Sequence, residues 1–268
     1  MVVFPNAKIN IGLHVLNKRD DGFHNLESIF YPIGLCDILE IVKAKEFAFT
    51  QSGLEISGNP KKNLVVKAYE ILKREYKIGP VAIHLHKVIP TEAGLGGGSS
   101  DATFTLKLLR DIFDLKIEED VFLKLALELG SDCPFFLFNK PCLVTGRGEK
   151  IIEIDFNLTN YWIKLIHPAI KISTKDAFEK IKPNRESYNL ESVINRDTRN
   201  NLKRFINDFE IQLFYQYQEL QLIKDQLKKE GAIYASLSGS GSSLYGIFEI
   251  EPKKTETSYF EYIGQLAY

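Results

Sequence analysis

Residues 90–102 read PTEAGLGGGSSDA. Glycine raises the entropic cost of ordering a loop, so three in succession before a long apolar-periodic segment need a reason. The stretch ahead of them, VAIHLHKVIP, alternates in the manner of a strand. Behind them Ala102, Leu106, Leu109 and Phe113 fall on one helical stripe, with Ser99 or Ser100 placed to cap the N-terminus. Strand, glycine loop and helix together form an anion-binding arrangement. The glycines let backbone approach a phosphate, and the helix start offers unpaired N–H groups and a positive dipole end. The two serine hydroxyls could add donors or ligate a metal ion. A mobile loop or tight turn is the plainer alternative, and the flanking strand and helix weigh against it.

The common nucleotide motifs fail on spacing. A P-loop needs lysine and Ser/Thr after its last glycine, but Gly98 is followed by Ser99. The GxGxxG dinucleotide pattern would need glycine at 99. NRDTRNN, residues 195–201, only grazes the catalytic loop of protein kinases.

Outward from the loop, KINIGLHVL (8–16) reads as a strand, KRDDGFHNLES as a turn-rich segment, and IFYPIGLCDILEIVKA as further strand. NLVVKAYEILKREY (63–76) has helical spacing, and a helix from about 118 to 129 stops at Gly130. A second half starts near residue 154. It holds the strand YWIKLIHP, a helix start at STKDAFEKI, a polar stretch at 182–201 and one long helix over about 207–230. Two strands then flank a second small-residue run, SLSGSGSS. The mixed order predicts an α+β protein, cut into 1–153 and 154–268.

The formal net charge of −1 gives no electrostatic footprint for nucleic acid or a membrane surface. Cys36, Cys133 and Cys142 are odd in number and lack CxxC spacing, which fits reduced thiols. The first residues, MVVFPNAKINIGLHV, have no signal-peptide layout. A cytoplasmic protein is expected.

The loop and its neighbours resemble the GHMP kinases, the galactokinase, homoserine, mevalonate and phosphomevalonate kinase superfamily. Within it the chain is most similar to the branch that phosphorylates a cytidine-diphosphate-linked methylerythritol. The segments carrying this are PNAKINIGLHV (5–15), DGFHNLES (21–28), NLVVKAY (63–69), AGLGGGSSDA (93–102) and GSDCPFF (130–136). GRGE (146–149), ISTKDAF (172–178), NDFE (207–210) and SLSGSGSS (236–243) continue the order. The resemblance implies two lobes, an N-terminal one like domain 2 of ribosomal protein S5 and a ferredoxin-like C-terminal one, with substrate between them. It also implies ATP as phosphoryl donor, Mg2+ without a dedicated protein cage, a small-molecule acceptor and a monomer or homodimer.

The same resemblance assigns residues. Asp132 would be the base on a tertiary hydroxyl, and Lys8 the ammonium beside it. Taken alone, Lys8 could sit on an exposed strand face and Asp132 could be a helix N-cap. Asn10 would hold the substrate tail. Phe23 and Phe178 would stack on cytosine, His24 would bond its edge and Thr174 would add a polar contact; as isolated aromatics they would be core. Asn63, Leu64 and Lys87 would serve the adenosine end. Pro90, Gly94, Leu95, Gly96, Gly97, Gly98, Ser99 and Ser100 would wrap the phosphates. Asp101 is either a helix-start carboxylate or a ribose or metal contact. SLSGSGSS is either a flexible turn or a border of the phosphate end. Phe23 stands where the family often has tyrosine, Cys133 and Cys142 replace small or apolar residues, and Tyr217-Gln218 stand where proline is common.

Another small-molecule GHMP kinase and a regulator without catalysis are the competing expectations. DGFH with GSDCPFF argues against the first, and the retention of Lys8 and Asp132 against the second.

Overall fold

The computed structural model describes residues 1–56, 62–181, 183, 190 and 202–267. Most of the polar stretch at 182–201 lies outside them. By contact density the chain forms two compact units. One comprises Met1–Ala7, Leu35–Thr91 and Gly96–Asn139; the other comprises Lys8–Gly34, Glu92–Leu95 and Lys140–Tyr268. The units interleave along the chain, whereas the sequence suggested a single cut after residue 153.

In the first unit, β1 (Val2–Val3), β4 (Ile38–Lys43), β5 (Ala48–Gly53) and β6 (Val81–Lys87) form a sheet of order β1-β4-β6-β5. The β5–β6 pair is parallel, while β4–β6 and β1–β4 are antiparallel. Strand β6 alternates buried and half-buried residues, as VAIHLHK predicts. Helices α1 (Leu64–Tyr76), α2 (Gly97–Ile112) and α3 (Glu119–Leu129) pack their apolar stripes on this sheet. Val65, Tyr69 and Leu72 meet Ile83, Leu85, Leu106, Leu109 and Phe122 in one core. The short α4 (Phe135–Phe138) completes the unit.

The second unit carries two sheets. The long strands β2 (Asn6–Lys18) and β3 (His24–Cys36) pair with the hairpin β7 (Cys142–Gly146) and β8 (Lys150–Glu153) in the order β2-β3-β7-β8. The other sheet has the order β10-β11-β9-β12, built from β9 (Trp162–His167), β10 (Tyr234–Leu237), β11 (Leu244–Phe248) and β12 (Phe260–Gln265). Helices α5 (Thr174–Lys180), α6 (Phe209–Gln216) and α7 (Gln218–Lys229) bury Phe209, Leu213, Leu220, Ile223 and Leu227 in its core.

The structure corrects four local expectations. The long helix over 207–230 is two helices, because Tyr217 leaves helical geometry at φ −129°, ψ 82°. The strand run from Ile29 onward breaks at Asp37, which turns its side chain inward and divides β3 from β4. Strands β5, β7, β8 and β12 are short or half-exposed and carry weak alternation, so the sequence did not mark them. Neither Ser99 nor Ser100 caps α2. The helix begins earlier, with Gly96 at the N-cap in the left-handed region (φ 69°) and no side-chain cap bond.

Candidate active site

The glycine loop is divided between the two units, Glu92–Leu95 in the second and Gly96 onward in the first. Its second half, Gly96–Ser100, becomes the first turn of α2 in the first unit. Gly97 is pressed against Ile89: a Cβ there would lie 2.9 Å from Ile89 Cγ2 and 3.4 Å from Lys87 Nζ. Gly98 is exposed. Ser100 is fully buried, and its hydroxyl has no hydrogen-bond partner among the described residues. A buried hydroxyl without a partner is costly, and it fits an anion oxygen or an oxygen-seeking cation brought to the helix start.

Beneath this turn lies a buried charge cluster. Lys87, only 2% exposed, pairs with Asp37 and, at 2.8 Å, with Asp101. Asp37 Oδ1 also accepts the N–H groups of Val88 (2.6 Å) and Ile89 (2.9 Å), and the Asp37 N–H donates to Pro5 O. Burial works against the Lys87 ammonium, yet the two carboxylates outweigh it and hold its pKa above the ordinary value. Burial pushes the Asp101 carboxyl up; Lys87 opposes this and Asp37 adds to it. Asp101 is thus not a helix-start carboxylate. It is the fifth residue of α2, past the first turn, and its Oδ2 accepts from Lys87 Nζ.

Other predicted donor-side residues also have local tasks. Asn63 is the N-cap of α1, its Oδ1 accepting the Val65 N–H at 2.9 Å. Leu64 packs on the first unit's core, and Pro90 is buried. Asp132 sits half-buried in the turn 131–134 ahead of α4. It is not the cap of that helix, whose N-cap is Pro134 with no side-chain bond. The turn and α4 are tied to α2: Thr103 Oγ1 donates to Cys133 O (2.9 Å), and Lys107 Nζ donates to Phe136 O (2.7 Å) and Leu137 O (3.2 Å). Burial lowers the Lys107 pKa to about 8 and raises that of the Cys133 thiol to about 11.

The loop's first half lies in the second unit. Leu95 O accepts the Lys8 N–H at 2.9 Å. Ser238 Oγ donates to Gly94 O (2.8 Å), and the Ser243 N–H donates to Ala93 O (3.2 Å), so the second small-residue run is bonded to the first. Gly94 has φ +76°, and a Cβ there would lie 2.0 Å from Ser238 O. No residue with a side chain fits at that crossing. Asn207 Nδ2 holds Leu237 O and Gly239 O, while Glu210 Oε1 accepts from Ser236 Oγ and the Leu237 N–H. SLSGSGSS is therefore anchored at several points, not a free turn.

Lys8 is 3% exposed, so its strand face is not solvated as the plain alternative had it. Its Nζ donates to Asn10 Oδ1 (2.6 Å) and lies 4.4 Å above the Phe30 ring. Asn10 Nδ2 donates to Ser28 Oγ (3.0 Å), whose hydroxyl donates to Gly12 O (2.6 Å). This relay fixes the Asn10 amide with its oxygen toward the ammonium. Asn10 binds Lys8, whatever else it contacts.

The predicted base-recognition residues divide. His24, the first residue of β3, stacks on Phe178 of α5 at 5.5 Å and 24°, and Phe178 in turn meets Phe209 edge-on at 4.9 Å. Phe23 is 52% exposed at the β2–β3 turn, with the Arg147 guanidinium 5.1 Å above its ring. Thr174 Oγ1 lies 3.0 Å from Ser240 Oγ, which joins α5 to the second loop. Burial, then Lys18, lowers the His24 pKa below its ordinary 6.5.

Sequence reasoning passed over Asp37, Ser28 and Arg147 and gave no role to Asn207 or Glu210. Asp37 had a weak signal: it is one of two carboxylates inside the apolar run IGLCDILEI, and only the structure shows that it is buried while Glu40 is exposed. Ser28 and Asn207 lie in the segments DGFHNLES and NDFE, but they act through partners distant in sequence, so the segments alone gave them no role.

Comparison with known proteins shows the family of the chain. The sequence model of the GHMP kinases N terminal domain matches residues 63–140, and that of the GHMP kinases C terminal domain matches residues 189–258. A 4-diphosphocytidyl-2-C-methyl-D-erythritol kinase of Bacteroides thetaiotaomicron is 48% identical over 97% of this chain and 96% of its own. One of Cytophaga hutchinsonii is 46% identical over 94% of each chain. A crystal structure of 4-(cytidine 5'-diphospho)-2C-methyl-D-erythritol kinase superposes with a TM-score of 0.78 at 27% identity, covering 92% of this chain and 90% of that one. No helix among the described residues is long and apolar enough to cross a membrane. With identity this high along nearly the whole of both chains, the protein belongs to the 4-diphosphocytidyl-2-C-methyl-D-erythritol kinase family of GHMP kinases.

Proposed function

We propose that the chain transfers the γ-phosphoryl group of ATP to the 2-hydroxyl of 4-diphosphocytidyl-2-C-methyl-D-erythritol, a step of non-mevalonate isoprenoid synthesis. The observation that carries this is near-full-length identity to kinases of that name. The glycine loop running into α2 supports it.

In this reading the N–H groups of Gly97–Ser99 and the Ser100 hydroxyl receive the triphosphate, while the Ser100 N–H closes the first turn on Gly96 O at 2.9 Å. The helix end favours the negative charge there. Mg2+ would arrive with the nucleotide and neutralise phosphate charge. The partnerless Ser100 hydroxyl is the oxygen donor that fits it, and among the described residues no cluster of three His, Cys, Asp or Glu forms a cage. Asp132 takes the proton of the tertiary hydroxyl as its oxygen bonds to the γ-phosphorus. The bond from that phosphorus to the β-bridging oxygen breaks, and ADP leaves. Lys8, oriented by Asn10 and Phe30, stabilises the developing charge. Asn63, Leu64, Lys87, Pro90, Gly94, Leu95, Gly96 and Ser99 complete the donor side. Phe23, His24, Thr174 and Phe178 read the cytidyl group, and Arg147 steadies Phe23. The enzyme works in the cytoplasm as a monomer or homodimer.

The test is ADP release from MgATP with 4-diphosphocytidyl-methylerythritol, homoserine and mevalonate as parallel acceptors. Turnover with the cytidyl compound alone is expected. Turnover with either other acceptor, or with none, overturns the assignment.

A further inference from the structure

The mechanism above makes no use of Asp37, yet Asp37 is fully buried and accepts from three donors on the segment that enters the glycine loop. A buried carboxylate is costly unless each such bond is made. Here the bonds converge on one place. Two go to the N–H groups of Val88 and Ile89, where β6 has ended and its backbone would otherwise lack partners. The third goes to Lys87, which bridges to Asp101 in α2. Lys87 Nζ and Ile89 lie directly under Gly97, the first residue of that helix. Above this base, the Ser100 hydroxyl and Asp101 Oδ1 have no partner among the described residues.

We propose that Asp37 is a positioning residue for the phosphoryl donor. Acting through Lys87 and the Val88 and Ile89 amides, it holds the loop exit and the first turn of α2 in the geometry that receives the triphosphate. This rests on the glycine loop being the ATP site. It extends that reading to a residue outside the loop, distant from it in sequence.

Charge and geometry make opposite forecasts for Asp37→Asn. If the carboxylate acted only as a charge near a polyanionic donor, removing it would tighten ATP binding. If it positions, its loss loosens Lys87 and the loop, and ATP binds more weakly.

The experiment is steady-state kinetics on the full chain, varying MgATP and 4-diphosphocytidyl-methylerythritol in turn, with melting temperatures alongside. For Asp37→Asn we expect the KM for ATP to rise about tenfold while the KM for the cytidyl substrate stays within about twofold. Asp101→Asn, which loosens Lys87 from the other side, should move the same constant in the same direction. An unchanged or lowered KM for ATP in both variants overturns the proposal. So does a loss of kcat and melting temperature with both KM values intact, which is what a merely structural role gives. Wild-type protein that neither binds nor uses ATP would instead refute the loop assignment itself. Should the variants not fold, amide exchange on the unaltered, nucleotide-free protein decides. Val88 and Ile89 should be protected like the amides of β6, and exchange at open-loop rates overturns the proposal.

Discussion

The glycine loop, proposed to hold the donor, and the ring cluster, proposed to read cytidine, are built from opposite materials. The loop is backbone laid close, on the backbone of Ser238 at Gly94 and on the Ile89 side chain at Gly97, and at both even a methyl group has no room. The proposed cytidine reader is made of rings: His24 on Phe178, Phe178 on Phe209, and Arg147 over the exposed Phe23. A site of backbone fails when an atom is added, while a site of rings fails when atoms are removed. A phosphate presents oxygens at every angle and asks for N–H groups at close range. A base presents a flat face and asks for stacking area.

The largest effect should fall on neither material but on a single carboxylate. Asp132→Asn should lower kcat by about 10²–10⁴, the range of general-base catalysis, while still binding the cytidyl substrate. Near-normal turnover would remove Asp132 as the base. Next comes Gly94→Ala. It combines a φ of +76° with a Cβ 2.0 Å from Ser238 O, so the two loops must part. We expect kcat/KM to drop about a hundredfold and the melting temperature to fall with it, since left-handed strain and backbone overlap add. A variant that melts normally would mean that the loops do not meet as described.

Gly98→Ala sharpens the contrast. Its Cβ would meet only Leu64 Cδ1, at 3.8 Å, and its φ is not left-handed. Alanine in a helix is favoured over glycine by about 0.5–1 kcal/mol, so the melting temperature should hold or rise. The KM for ATP should nevertheless rise about fivefold if phosphate approaches this turn. Equal affinity would argue that the exposed side of the loop faces no ligand.

How far the sequence revealed these regions follows from the range of the forces involved. The glycine loop was legible because its cause is local: strand, glycines and helix stripe adjoin, so β6 and α2 were placed within a few residues. The cap was misplaced because a glycine in the left-handed region can start a helix without a side chain, and propensity favours the serine. The break at Tyr217 was hidden because apolar spacing continues through it, and only the φ/ψ of one residue changes. Lys87 was singled out as a nucleotide contact, but what surrounds it was not. Asp37 and Asp101 reach it from 50 and 14 residues away, and such pairings leave no periodic trace. The same holds for Asn10, whose partners are Lys8 two residues off and Ser28 eighteen off.

His24 gives the smallest effect and the one that tests the ring-built end. Its pKa lies below the ordinary 6.5 because burial, and then Lys18, disfavours the imidazolium. The folded state therefore prefers the neutral ring. Its contribution is fully present above pH 6.5 and is lost as the pH falls through the lowered pKa, since the unfolded chain binds the proton more readily. A charged ring beside Phe178 would also disturb the stack proposed to meet the cytidyl group. The KM for that substrate should thus be flat from about pH 6.5 to 8 and climb about two- to threefold in acid. His24→Ala should raise it about fivefold at pH 7.5 with little change in kcat, because the contact is remote from the reacting atoms, and should flatten the acid limb. An acid limb that survives in His24→Ala would assign the titration to another group. An unchanged KM would move base recognition away from the His24–Phe178 stack and leave Phe23 and Arg147 to carry it.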